Sequence, residues 1–449
     1  MPAPIAKFSL SLLAVAMLPA PAIAQEASDG FHLSGSVRLR YEAIDGQPRA
    51  GFDSKDALVN SRTQIMAAYR SGPVQLVAEI YDSRAWGADP GTPLTTGEVN
   101  ALEPVQLYLG LDLKDMLGRG TKSGVQLGRL MLNLGSRRLV AADDYRNTTN
   151  SYTGARLDIA AGAVRATAIY TLPQMRLPDS PADLRDQKVA LDRESFDAVL
   201  WGGLVSRAKT IGAATAELSY FHFGERDAPA RPTRDRSLDT VSARLIADPR
   251  AGKLDYEVET IYQTGTISSA LSPTAARQSV RASFVHARLG YTFESAWQPR
   301  LSLEFDRASG DKPGGRNGRF DTLFGMRRAD LAPSGLYNAV GRANILSVGA
   351  RLEASPSKRL DGFAAWRPMW LASATDSFST TGVRDATGRS GNFAGHQMEA
   401  RLRYWLVPRR LRFEWNGLLL AKGRFLREAP NAQPGRWTRY TSFNLTASF

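Results

Sequence analysis

Arginines stand two residues apart at several places along this chain, and that spacing is where chemistry could begin. Arg38 and Arg40 are separated only by Leu39, and Arg401 and Arg403 only by Leu402. Arginine outnumbers lysine 47 to 10, within 57 basic and 44 acidic residues and a net charge of +13. A guanidinium forks onto carboxylate or phosphate with two parallel hydrogen bonds, which an ammonium does not. The pattern therefore suits anions. Other chemistries find little support. There is no cysteine, so disulfides, thiolate nucleophiles and cysteine metal sites are excluded. His32, His222, His286 and His396 are the only histidines and show no ligand spacing. Asp143-Asp144 and the Asp306 to Asp311 stretch carry oxygen donors but match no calcium loop. No serine or threonine is set beside a histidine in a way that suggests a nucleophile. The sequence thus implies no enzyme, no metal and no cofactor.

Elements that could position these arginines follow from a period of two. Phe31, Leu33, Val37, Leu39 and Tyr41 alternate with His32, Ser34, Ser36, Arg38 and Arg40. Thr441, Phe443, Leu445, Ala447 and Phe449 alternate with Ser442, Asn444, Thr446 and Ser448. Alternation of this kind is that of strands. It predicts 18 strands, near 31–41, 59–70, 74–85, 104–113, 124–134, 153–160, 163–171, 195–206, 213–224, 238–247, 254–264, 280–293, 300–310, 343–354, 360–372, 395–407, 411–422 and 439–449. Short links such as Ser71-Gly72-Pro73 and Pro408-Arg409-Arg410 alternate with long ones such as 135–152, 311–342 and 373–394. An even strand number with alternating short and long connections is the pattern of a transmembrane antiparallel β-barrel, with short periplasmic turns and long extracellular loops. Strands can cross hydrocarbon only as a closed sheet. A length of 449 residues would suggest about three domains; the pattern predicts one barrel over 25–449 instead. About 18 strands leave a lumen wide enough for water.

Residues 1–24 read as a signal peptide. Lys7 precedes the apolar stretch Phe8 to Leu18, and Ala22-Ile23-Ala24 has the small-x-small form of a cleavage site. Such a chain is exported, which places it in the outer membrane of a Gram-negative bacterium. It also makes a nucleic-acid partner implausible despite the charge.

With the apolar phase toward lipid, the other phase lines the lumen. Arg38, Arg40, Arg62, Arg156, Arg165, Arg244, Arg288, Arg351, Arg401, Arg403 and Arg412 then point inward, with Glu257 and Glu259 among the inward acids. Arg129, Arg138 and Arg367 join them, in a register that the sequence leaves open. Inward guanidinium groups lower the barrier for anions. Alternatively they pair with lumen acids and brace the wall. Arg226, Arg231, Arg234 and Arg236 crowd one long link, where lipopolysaccharide phosphates would lie.

Several stretches in order resemble the alginate-export type of outer-membrane porin. They are Gly128-Arg129, Gly135 to Val140, Asp144-Tyr145 with Asn147, Leu301 to Phe305 with Ala308 to Asp311, Phe320 to Gly325, Asn344, Trp370 to Ala372, and Lys422 to Phe425. The resemblance covers roughly 31–449. It implies an 18-stranded monomeric barrel that passes anionic polysaccharide or smaller solutes through an arginine-lined constriction. It makes Arg129, Arg138, Arg401 and Arg403 lumen arginines. Where the family usually has Arg-x-Phe-Asp-Gly, this chain reads Asn150-Ser151-Tyr152-Thr153-Gly154. The expected function is passive diffusion of anionic solutes or alginate-like uronates. The rival readings are a barrel enzyme hydrolysing lipid or ester, and a structural or adhesin-like barrel. Expected partners are outer-membrane lipid, lipopolysaccharide and the barrel assembly machinery, the last through Phe449.

Overall fold

The computed structural model describes residues 29–116, 118–143, 145–228, 231–327 and 330–449. The signal segment 1–24 and Asp144 lie outside the described residues. The chain runs as β1 (Gly30–Asp45), β2 (Lys55–Ser71), β3 (Val74–Trp86), β4 (Asn100–Asp112), β5 (Lys122–Leu130), β6 (Tyr152–Ala161), β7 (Val164–Pro173), β8 (Ala198–Ile211), β9 (Ala214–Glu225) and β10 (Ser237–Ala247). It continues as β11 (Leu254–Ser268), β12 (Arg277–Thr292), β13 (Arg300–Ala308), β14 (Arg316–Asn317), β15 (Ile345–Ser357), β16 (Leu360–Trp370), β17 (Phe393–Val407), β18 (Leu411–Lys422) and β19 (Trp437–Ser448). Short helical turns α1 (Pro181–Arg185) and α2 (Phe425–Glu428) sit in two of the long connections.

Each wall strand pairs antiparallel with its neighbours, and β1 pairs with β19 from Ser36↔Ser448 to Asp45↔Arg439, which closes the sheet. The exception is the two-residue β14, which lies parallel to β12 inside the 309–344 connection. The wall therefore has the 18 strands that the alternation predicts. Closure leaves no row of unpaired backbone groups facing lipid.

The phase along β1 is decided by exposure. Val37, Leu39 and Tyr41 are 46%, 52% and 45% exposed, whereas Arg38, Arg40 and Glu42 are 6%, 2% and 0%. Apolar side chains face outward and charged ones inward, the reverse of a soluble barrel.

The inward face itself changes character along each strand. Near the short turns it is charged: Glu217 on β9, Asp255, Glu257 and Glu259 on β11, and Arg412 and Glu414 on β18. Toward the long connections it becomes apolar: Phe221 and Phe223, then Ile261, then Leu418 and Leu420, all buried. Such side chains would be stranded in a water-filled lumen. They are covered by the connections 131–151, 309–344 and 371–392, which fold inward and bring Leu139, Val140, Phe320, Leu336, Tyr337, Phe378 and Val383 into one apolar cluster with the wall. Phe284 of β12 stacks on Phe320 with ring centres 5.7 Å apart, both nearly fully buried. Each such large side chain contributes about 1.5–3 kcal/mol of burial.

Removing Phe284 tests this seat. Phe284→Ala is expected to cost about 3–5 kcal/mol, felt in the loops rather than in the wall. Trypsin should then cut after Arg316 much faster than in wild type, while the barrel keeps its heat-modifiable migration on a gel. Unchanged cleavage would show that the 309–344 connection does not depend on this contact.

Candidate functional site

The inward arginines divide by what they touch. The first group holds a loop. Arg38 donates to the carbonyls of Tyr145 (3.3 Å) and Arg146 (3.0 Å) and to Asn147 Oδ1 (3.1 Å). Arg40 donates to the Tyr145 carbonyl at 2.7 Å, and its guanidinium lies 4.1 Å from the centre of the Tyr145 ring. Arg62 donates to the Arg146 carbonyl at 3.0 Å. Three arginines of β1 and β2 thus grip three consecutive residues of the 131–151 connection. Asn147 completes the clamp by donating to the carbonyls of Ser61 (2.9 Å) and Glu98 (2.8 Å).

The second group is an ionic lattice on the opposite wall. Arg138, carried inward by the same connection, reaches Glu257 at 2.7 Å, Glu259 at 2.5 Å and Asp330 at 2.8 Å. Arg244 and Arg288 also contact Glu257, at 2.8 and 3.1 Å. Arg367 of β16 bridges Glu304 (3.0 Å) and Asp306 (2.9 Å) and donates to the Asp330 carbonyl at 2.6 Å. His286 meets Asp306 at 2.8 Å, and Arg342 meets Asp330 at 3.1 Å. The inward acids Glu257 and Glu259 of β11 are therefore matched by arginines from both neighbouring strands and by Arg138 from one loop. Burial alone would raise the Asp330 carboxyl; Arg138 and Arg342 beside it hold it well below the usual carboxylate range. A depressed folded-state pKa means that its contribution is in place above about pH 3.9 and lost only at lower pH.

The third group faces water. On β15 to β18, the side chains of Arg401, Arg403 and Arg412 are 22%, 27% and 31% exposed, against 2% for Arg40 and 3% for Arg138. Arg351 and Arg401 both stack on Phe363, at 3.6 and 4.9 Å from its ring centre. Arg412 lies over Trp405 at 5.6 Å. Acids stand beside them: Asp361 is 2.7 Å from Arg403 and 3.7 Å from Arg401, Glu353 is 3.0 Å from Arg351, and Glu414 is 3.8 Å from Arg412. Four cations and these three carboxylates share the sector with Glu399, which is buried on the inward phase of β17 two residues before Arg401.

One expectation is corrected. Arg129 is not a lumen residue. It is paired with Leu107 and Thr153 across its neighbours, on the outward phase of Leu127, and its guanidinium is taken up by Glu103, Glu194 and the Pro104 carbonyl (2.8 Å). Arg401 and Arg403 have no acid between them in the chain, but Asp361 of β16 stands directly opposite Arg403, with Phe363 opposite Arg401. Reading one strand at a time hides an acid on the next. Arg156 is inward, as expected, but buried against Asp158 at 2.7 Å. Sequence reasoning gave no role to Asp330 or Arg342, because loop residues carry no phase.

Arg138→Met would leave Glu257, Glu259 and Asp330 crowded without their shared cation. The expected cost is about 3–5 kcal/mol, read as loss of amide-exchange protection in 131–151 and 309–344 with the wall strands still protected. Equal protection in the variant would mean that the lattice does not hold the loops.

A BenF-like porin from Pseudomonas fluorescens Pf-5 superimposes with a TM-score of 0.61 at 11% identity, over 93% of this chain and 98% of that one. Pseudomonas aeruginosa OccK9 (OpdG) gives 0.59 at 10% identity over 93% and 98%. Pseudomonas aeruginosa OccK2 (OpdF), solved in complex with glucuronate, gives 0.56 at 13% identity over 93% and 96%. At such identities the likeness is one of fold. Among curated proteins none matches the sequence. A family described as alginate export matches over residues 31–438. That match spans β1 to β18 but for Gly30, the inward loops and the arginines just described, and the chain belongs to the alginate export family of outer-membrane, porin-like barrels.

Proposed function

We propose that this barrel is a passive channel for anionic solutes of the uronate class, from single sugar acids to alginate-like oligosaccharides, and that it catalyses no reaction. The observation that carries the reading is the water-exposed arginine sector on β15 to β18. A guanidinium that keeps part of its surface in the lumen can exchange water for a carboxylate oxygen. Those packed against loop carbonyls or inside the lattice are already committed. Asp361, Glu353 and Glu414 serve the same purpose from the other side. They keep the local charge excess small, so that an anion is admitted without being trapped, as conduction requires. Phe363 holds the guanidinium planes of Arg351 and Arg401 in place by stacking. The glucuronate bound to OccK2 is a ligand of the size and charge that such a sector would take.

The reading includes export by a cleaved signal peptide over residues 1–24, a monomeric state, and recognition by the assembly machinery at the C-terminal strand. Phe449 supports the last point. It remains 68% exposed while its backbone pairs with Gly35 at the closing seam, at 3.0 and 3.1 Å.

Charge reversal tests the sector. In planar bilayers the Arg401→Glu/Arg403→Glu double variant should lower the chloride-over-potassium permeability ratio by about tenfold or more, since one unit charge at 4 Å in water is worth about 1 kcal/mol. Block of the open channel by glucuronate should weaken in parallel. A variant with unchanged selectivity and block would remove the sector from the conduction path.

A further inference from the structure

Both rims of the barrel carry exposed cations, and at the short-turn rim they stand beside the lipid-facing band. At the long-loop rim, Arg226, Arg277, Arg424 and Arg439 reach Asp197, Asp235, Glu428 and Asp45. Of the arginines that the sequence suggested for lipopolysaccharide, Arg236 is engaged by Glu225 and Asp321, and Arg234 donates to the Ser268 carbonyl. Others on the long connections, such as Lys312, Arg316, Arg389 and Arg436, are exposed outside these ion pairs, and the short-turn rim is rich in cations of that kind. Lys358 and Arg359 between β15 and β16, and Arg409 and Arg410 between β17 and β18, are all exposed. So are Arg207 and Lys209 at the β8–β9 turn and Arg250 and Lys253 at the β10–β11 turn. Among the described residues none of these eight is within 4 Å of a carboxylate; Asp112 and Asp255 are held by Arg70 and Arg300, while Asp115, Asp248 and Glu294 are exposed at the same rim and are outnumbered by its cations.

These cations border the apolar band rather than the pore axis alone. Ile211, Leu254, Leu406 and Val407 are exposed at 61%, 64%, 46% and 46% and lie within a few residues of Lys209, Lys253 and Arg409. A cation on a turn that ends a lipid-facing strand sits at headgroup depth. A row of them around the wall complements an anionic membrane surface. We propose that the short-turn rim is a docking collar for anionic glycerophospholipid headgroups, of which phosphatidylglycerol is the simplest. Short turns face the periplasm in barrels of this kind, so the collar would sort anionic phospholipid around the barrel in the periplasmic leaflet.

The test uses the full barrel in mixed phosphatidylglycerol and phosphatidylcholine nanodiscs, with native mass spectrometry counting the lipids retained on release. Wild type should keep phosphatidylglycerol in preference. Lys358→Gln/Arg359→Gln/Arg409→Gln/Arg410→Gln should cut that preference at least tenfold, since each charge near the surface is worth roughly fivefold. Lys312→Gln/Arg316→Gln at the other rim should leave it unchanged. Heat-modifiable migration checks that both variants are folded barrels. The proposal fails if the folded quadruple variant keeps its preference, or if the control loses as much. It also fails if the quadruple variant changes only the conductance of anions, for then the rim serves the solute and not the lipid.

Discussion

A guanidinium placed inside a barrel cannot be left without acceptors. Its charge costs too much to bury alone, and the inner wall of this protein carries many. Most of the interior architecture meets that demand. Where the wall offers carboxylates, as on β11 and β13, arginines from neighbouring strands and from the loops converge on them. Where β1 and β2 offer few, a loop is drawn in and supplies carbonyls, so that Arg38, Arg40 and Arg62 bind Tyr145 and Arg146.

The two kinds of acceptor have different consequences. A carboxylate cancels the charge of its partner, so the lattice around Glu257 and Asp330 is stiff and contributes little field. A carbonyl dipole satisfies the hydrogen bonds and leaves the charge in place. The clamp therefore ties down the 131–151 connection, with Glu42 at 3.3 Å from Arg40 offsetting part of its positive charge. The loops serve a second constraint as well, since they cover Phe221, Phe284, Leu418 and the other inward apolar side chains. Ionic and apolar contacts thus agree on one position for the loops.

Strand number, phase and closure were legible in the sequence, because alternation of apolar and polar residues is a local signal and hydrocarbon enforces it. The inward assignment of Arg38, Arg40, Arg156, Arg351 and Arg412 follows from phase alone. Pairing does not, because Asp361 stands beside Arg403 only after register places β16 against β17. Arg129 shows the limit of phase near a strand end, where the irregular pairing of β4 around Glu79 and Tyr81 brings Glu103 within reach of its guanidinium. The inward loops were the least legible part, since 131–151 and 309–344 carry no period. One signal pointed to them: phenylalanines at inward positions of β9 and β12, which no water-filled lumen would leave bare.

The account centres on which charge the lumen presents to a passing ion. Its most direct measurement is the zero-current potential of the wild-type barrel in a planar bilayer under a tenfold potassium chloride gradient. The sign should show chloride favoured over potassium, and the preference should shrink as the salt concentration on both sides is raised. A cation-preferring potential, or a barrel that passes no current at any salt concentration, would contradict it.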